Sequence, residues 1–140
     1  MDLREIKAEL CTACRACEAA CSLSHYGVVN PLRSRVRVKD EGLKVEIGVC
    51  IHCQELKCIP ACRRQALVES FGVLILRPEL CDLCGDCVKA CPSAGVHIEP
   101  LWGSVYICDL CSGDPNCVKV CAPGALSLKN GAVGRIKENC

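Results

Sequence analysis

The sequence predicts an α+β chain of small repeated units, each made of short strands and helices of one to three turns. Three observations lead there. Seventeen of the 140 residues are cysteine. Sixteen of these fall into four groups of four, and each group opens C-x-x-C and closes C-x-x-x-C. Aromatic residues are scarce, with one Phe, one Trp and two Tyr. The usual large anchors of an apolar core are therefore missing, and something other than side chains fills part of the interior.

The first group is Cys11, Cys14, Cys17 and Cys21, in the run "CTACRACEAAC". Its last gap is i to i+4, one helical turn, so Cys17 and Cys21 share a helix face. Residues 22–49 form an insert. In it "RSRVRVKD" alternates basic with small or apolar residues, which fits an exposed strand. The second group is Cys50, Cys53, Cys58 and Cys62. The run "VLIL" at 73–76 reads as a strand. The third group is Cys81, Cys84, Cys87 and Cys91, followed by strand signals in "VHIE" at 96–99 and "SVYI" at 104–107. The fourth group is Cys108, Cys111, Cys117 and Cys121; Cys140 is left over. Only the middle gap varies, with two, four, two and five residues in turn. The runs "CRRQALV", "CPSAGV" and "CAPGAL" recur after the last cysteine of groups two to four. Each places a small residue four positions on, then an aliphatic one. This is an internal repeat, with Cys62, Cys91 and Cys121 spaced by 29 and then 30 residues.

Composition excludes several functions. Lys+Arg number 17 against 16 Asp+Glu, so no strong field points to nucleic acid or an anionic membrane. "MDLREIKAEL" has no apolar core of a signal peptide, and no run of 18 apolar residues predicts a membrane span. Direct membrane insertion is not expected, and the expected location is cytoplasmic. No nucleophile–base pair, phosphate loop or open-site metal motif is present, so independent catalysis is not expected.

Three uses of so many thiols compete. Cysteine this dense is first read as a disulfide scaffold, but disulfides need an oxidising compartment. Structural zinc sites join two ligand pairs across a spacer, whereas here three or four cysteines arrive in one run. The run C-x2-C-x2-C-x3-C-P is the bacterial [4Fe–4S] pattern. "CDLCGDCVKACP" matches it throughout, Pro92 included, and the first group has the same spacing with Ser22 in place of proline. In such proteins the fourth cysteine of a run ligates the other cluster of a pair. The wider last gap thus lets one short segment serve two clusters, and the sixteen cysteines are expected to hold iron in four [4Fe–4S] clusters, arranged as two pairs. Metal binding free energy then becomes folding free energy, so the apo chain should be largely unfolded. Ligating thiolates should make the holo protein clearly acidic, despite the formal charge of +1.

Four such motifs, with a longer middle gap in the second and fourth, resemble the four-cluster electron-transfer subunits of molybdenum and tungsten pterin oxidoreductases. The stretch "CRACEAACSLSHYGVVNPLRSRVRV" is similar to the small iron–sulfur subunits paired with tungsten aldehyde oxidoreductases and carbon monoxide dehydrogenases. Arg63 follows Cys62 where that family usually has proline. The resemblance implies nested pairing of the motifs, first with fourth and second with third. It assigns Cys11, Cys14, Cys17 and Cys121 to cluster 1, and Cys50, Cys53, Cys58 and Cys91 to cluster 2. Cluster 3 takes Cys81, Cys84, Cys87 and Cys62, and cluster 4 takes Cys108, Cys111, Cys117 and Cys21. Two nested bacterial-ferredoxin-like dicluster modules follow: an outer one of residues 1–44 plus 100–140, and an inner one of residues 45–99. The separation of Cys62 from Cys81 is close to the connector of a small two-cluster ferredoxin. The implied function is to relay single electrons between a larger catalytic oxidoreductase subunit and a carrier such as ferredoxin. The rival readings are a free polyferredoxin shuttle, or the iron–sulfur subunit of a carbon monoxide dehydrogenase, formate dehydrogenase or hydrogenase.

Other residues carry weaker signals. His25 either hydrogen-bonds a cluster ligand or is structural or surface, the second being the preferred reading. His52, inside the second loop, either supports a ligand or is exposed. Arg33, Arg35, Arg37 and Lys39 alternate, so they form either a docking stripe for an acidic partner or a charged strand edge. Trp102 is expected in the core between strands. Cys140 has no cluster to complete and is expected to be a free surface thiol.

Overall fold

A computed structural model describes residues 4–99 and 103–129; Trp102 and Cys140 lie outside them. Among the described residues the strands are short and pair as antiparallel ribbons. The first strand, β1 (Arg4–Ile6), pairs with the last, β8 (Leu126–Leu128), in the register Arg4↔Leu128 and Ile6↔Leu126. The remaining ribbons are local hairpins: β2 (Val36–Asp40) with β3 (Val45–Val49), β4 (Leu67–Ser70) with β5 (Val73–Leu76), and β6 (Val96–Glu99) with β7 (Ser104–Ile107). Phe71 and Gly72 turn the second hairpin with positive φ at both positions, 51° and 81°, the twist that suits a two-residue hairpin loop. In β2 the alternation predicted from sequence is real: Val36 and Val38 are buried, alternating with half-buried Arg35 and Arg37 and exposed Lys39.

Each cysteine group is followed or crossed by a helix. The longest, α1 (Ala16–Tyr26), spans 11 residues and ends at Gly27, whose φ of 70° continues into a left-handed cap. The others, α2 (Cys58–Ala61), α3 (Asp86–Ala90) and α4 (Asn116–Val120), make about one turn, and each stops at the last cysteine of its group. Helix α1 packs on α4, and α2 packs on α3.

Little side-chain volume fills the centre. The core joins aliphatic residues from the strands, such as Val36, Val49, Leu67, Val96 and Leu126, with six buried cysteines: Cys17, Cys21, Cys50, Cys58, Cys108 and Cys117. Among the described residues no helix is long and apolar enough to cross a membrane.

Candidate metal centres

The repeat seen in sequence reappears as a repeat of backbone shape. Two residues after the first cysteine of every group the chain turns left-handed, at Ala13 (φ 58°), His52 (50°), Leu83 (61°) and Leu110 (57°). Three residues after the last cysteine of groups two to four it does so again, at Gln65 (54°), Ala94 (51°) and Gly124 (74°). Few non-glycine residues adopt this conformation. Its recurrence at equivalent positions is what a loop needs to curl its amides around an anionic centre. The amides respond accordingly. Ala13 N–H donates to Cys11 Sγ at 3.4 Å and Leu110 N–H to Cys108 Sγ at 3.3 Å. Ala66 N–H donates to Cys62 Sγ at 3.4 Å and Gly95 N–H to Cys91 Sγ at 3.2 Å. Ala66 and Gly95 are the small residues four positions after the last cysteine. Ala66 and its counterpart Ala125 are each 1% exposed. A Cβ on Gly95 would lie 2.2 Å from the backbone nitrogen of Cys50, so the small residue is a steric requirement.

Thiols distant in sequence meet. Cys11, Cys14 and Cys17 line one cavity together with Cys121. Burial pushes the Cys58 thiol up to about 11, with the charges of Cys91, Cys53 and Cys87 adding to it. The Cys87 thiol is raised by burial, with Cys62 and Cys81 contributing. Cys108 is driven up to about 11 by burial, opposed by the Arg4 charge and reinforced by Cys117. Cys21 lies beside His25, which with Asp109 and Cys111 offers ligand atoms within 4.8 Å of one another. Cys14 and Cys84 are exposed, whereas Cys50, Cys58, Cys21, Cys108 and Cys117 are buried.

Residues outside the cysteines are drawn in, and some carried no sequence signal. Arg4 is 1% exposed; its Nη1 donates to Cys117 Sγ and its Nη2 to Cys108 Sγ, both at 3.2 Å. Glu18 is buried on α1. Its Oε1 accepts from Val38 N–H at 2.6 Å, while Arg15 donates to the Val38 carbonyl at 2.9 Å and pairs with Glu18. The two side chains thereby fix β2 against the first cysteine loop. His25 is half-buried and hydrogen-bonded within the chain. Its Nε2 sits 3.1 Å from Asp109, its Nδ1 2.8 Å from the Cys21 carbonyl and 3.9 Å from the Cys21 sulfur. The Asp109 bond first, then Cys21, raises its pKa to about 11. His52 is fully buried, which excludes the exposed alternative, and its Nδ1 accepts from Leu74 N–H at 3.0 Å. Burial, followed by the Arg4 charge, lowers its pKa to about 4.

The arginines of the basic stripe are half-buried and engaged within the chain. Arg33 stacks on Tyr26 at 4.1 Å, Arg35 pairs with Asp109 at 2.8 Å, and Arg37 donates to the Leu32 carbonyl at 2.8 Å. Lys39 is exposed and pairs with Glu41. Arg63, in the position of the expected proline, is largely exposed and forms an ion pair with Asp86 at 3.2 Å.

Known proteins share this arrangement. Residues 74–94 match the 4Fe-4S binding domain family, and residues 8–27 match a second 4Fe-4S binding domain family. The chain is 42% identical over 120 residues to the polyferredoxin-like subunit of an aliphatic sulfonate oxidoreductase from Pyrococcus furiosus, covering 83% of this chain and 69% of that one. The chain belongs to the polyferredoxin-like iron–sulfur subunits of oxidoreductases. Another relative is the NADH-dependent phenylglyoxylate dehydrogenase subunit beta of Aromatoleum evansii, 33% identical across 83% of this chain but only 27% of that longer protein. Among solved structures, the active site complex BamBC of benzoyl coenzyme A reductase with benzoyl-CoA contains a chain 32% identical to this one. It superposes with a TM-score of 0.55 over 92% of this chain and 79% of its own.

A polyferredoxin-like subunit transfers electrons and is not catalytic alone. The residues fit its cofactor. The donors that converge are thiols, backbone amides point at their sulfurs, and a buried cation faces two of them, as an anionic thiolate-bound cluster requires.

Proposed function

We propose that this polyferredoxin-like subunit carries four [4Fe–4S] clusters and relays single electrons between a larger catalytic subunit and a ferredoxin-type carrier in the cytoplasm. Each cluster, when bound, takes up and gives back one electron. The proposed ligand sets are Cys11, Cys14, Cys17 and Cys121; Cys50, Cys53, Cys58 and Cys91; Cys81, Cys84, Cys87 and Cys62; and Cys108, Cys111, Cys117 and Cys21. They make two nested modules, residues 45–99 inside residues 1–44 plus 100–140. The observation that carries the reading is the way the sets lie within electrostatic reach of one another and end. Burial raises Cys17 to about 12, and the first charge to add is that of Cys117, joining set one to set four. Burial also raises Cys50, with Cys108 contributing, which joins set four to set two. Cys58 and Cys87 join set two to set three. The exposed thiols, Cys14 and Cys84, belong to the terminal sets of that series, one and three. A relay needs closely spaced buried centres between two accessible ends.

The best-supported partner is a tungsten- or molybdenum-pterin aldehyde oxidoreductase subunit, on the resemblance of "CRACEAACSLSHYGVVNP"; a carbon monoxide dehydrogenase is the alternative. The similarity to a subunit of an aliphatic sulfonate oxidoreductase and to a chain of the benzoyl coenzyme A reductase active site complex supports a catalytic partner. Arg33, Arg35 and Arg37 are the proposed docking charges, each also held within the chain, by Tyr26, Asp109 and the Leu32 carbonyl in turn.

One anaerobic purification from the native host tests both parts. We expect about sixteen iron and about sixteen sulfide per chain, four of each per cluster, together with a larger pterin-containing subunit. Zinc without sulfide would overturn the cluster reading, and a chain that purifies alone would replace the relay subunit with a free shuttle.

A further inference from the structure

We propose that Arg4 raises the midpoint potential of the cluster held by Cys21, Cys108, Cys111 and Cys117, making that cluster the resting place of the electron within the chain. This inference rests on the four-cluster reading above.

Arg4 sits in β1, where pairing with β8 places it beneath the fourth cysteine loop. Its guanidinium spans two sulfurs, Nη1 on Cys117 and Nη2 on Cys108, a use of the planar fork that a lysine cannot reproduce. It is almost sealed from water, and among the described residues no carboxylate pairs with it. A buried cation without a counterion is costly. The cost is offset only if the sulfurs it faces are anionic, as cluster-bound thiolates are. The same pairing acts on the cluster. Reduction adds one negative charge, and a fixed positive charge within hydrogen-bond reach in a dry site favours the reduced form.

The other sets are treated differently. The bonds to Cys11, Cys62 and Cys91 come from the backbone amides of Ala13, Ala66 and Gly95. Cys84 faces a carboxylate, with its sulfur 3.6 Å from Asp86, whereas the carboxylate beside the fourth set, Asp109 near Cys111, is paired with His25 and Arg35. The thiols of the fourth set are also the most buried, with Cys21, Cys108 and Cys117 all inside. Burial opposes charging of the reduced state, and this gives the guanidinium its role: it supplies a positive charge where water does not.

The test is redox-poised electron paramagnetic resonance on the anaerobically purified holoprotein and its Arg4→Gln, Arg4→Lys and Cys111→Ser variants. Arg4→Gln should lower the midpoint of one cluster, cutting its reduced-to-oxidised ratio at fixed poise by tenfold or more, or 59 mV for one electron. That signal should be the one altered in Cys111→Ser. Arg4→Lys keeps the charge but loses the fork, so its shift should have the same sign and be smaller than tenfold. Unmoved midpoints in an iron-replete Arg4→Gln protein would overturn the inference, as would a shift in a different cluster. Should Arg4→Gln lose iron, Arg4→Lys decides, and an unmoved or raised midpoint there overturns it. A wild-type chain lacking four clusters would fail on its iron and sulfide content before any variant is read, which separates the two failures.

Discussion

Position 22 holds serine where the third group has Pro92. The structure explains the difference. Ser22 is fully buried inside α1. Its hydroxyl donates to the Glu18 carbonyl at 3.1 Å and accepts from Asn30 N–H at 3.0 Å. Proline there would remove an amide and clash with the preceding turn. In the third group the helix has already ended, with Cys91 extended, so Pro92 is compatible. One turn earlier, Glu18 ties the same helix to β2 through Val38. Replacing Glu18 with alanine leaves the buried Val38 amide without its charged acceptor, a loss of about 2 kcal/mol. We expect the thermal bleaching of cluster absorbance to move to lower temperature in Glu18→Ala. Glu18→Gln keeps an acceptor oxygen and should move it less.

At the scale of elements, glycine positions separate packing from backbone conformation. Gly95 meets the backbone of Cys50 at a distance no Cβ tolerates, whereas the space around Gly27 is open and only its φ of +70° resists substitution. Gly95→Ala should therefore cost more than about 3 kcal/mol, at the upper end of overpacking, and Gly27→Ala about 1 kcal/mol, the cost of a left-handed alanine. The melting temperatures of the two holoproteins check the order. Legibility in the sequence divides along similar lines. The strands at 73–76, 96–99 and 104–107 were readable because β-branched and apolar residues follow one another beside turn residues, and they match β5, β6 and β7. β1 and β8, three residues each, were not, since a strand that short carries no period and its partner lies at the other end of the chain. All sixteen grouped cysteines announced themselves by spacing. Arg4 did not: a single basic residue near the start says nothing of its burial until β8 closes over it. The full burial of His52 was hidden in the same way, fixed by Leu74 on a distant hairpin.

At the scale of the whole molecule, the nested pairing is tested by one thiol. Cys21 should complete the cluster of Cys108, Cys111 and Cys117. Cys21→Ser and Cys108→Ser should then lose the same resonance, and Cys50→Ser a different one. A match between Cys21→Ser and Cys50→Ser would mean sequential pairing and wrong ligand sets. The ribbon of β1 and β8 carries a consequence for biosynthesis. Groups two and three, with the β4–β5 hairpin between them, can come together while the chain is still on the ribosome. Residue 4 must wait for residue 128, on the order of ten seconds at ordinary rates of chain elongation. The thiols translated first are thus among the last to be enclosed. Throughout that delay, oxidants and stray metal ions can reach the nascent Cys11 loop.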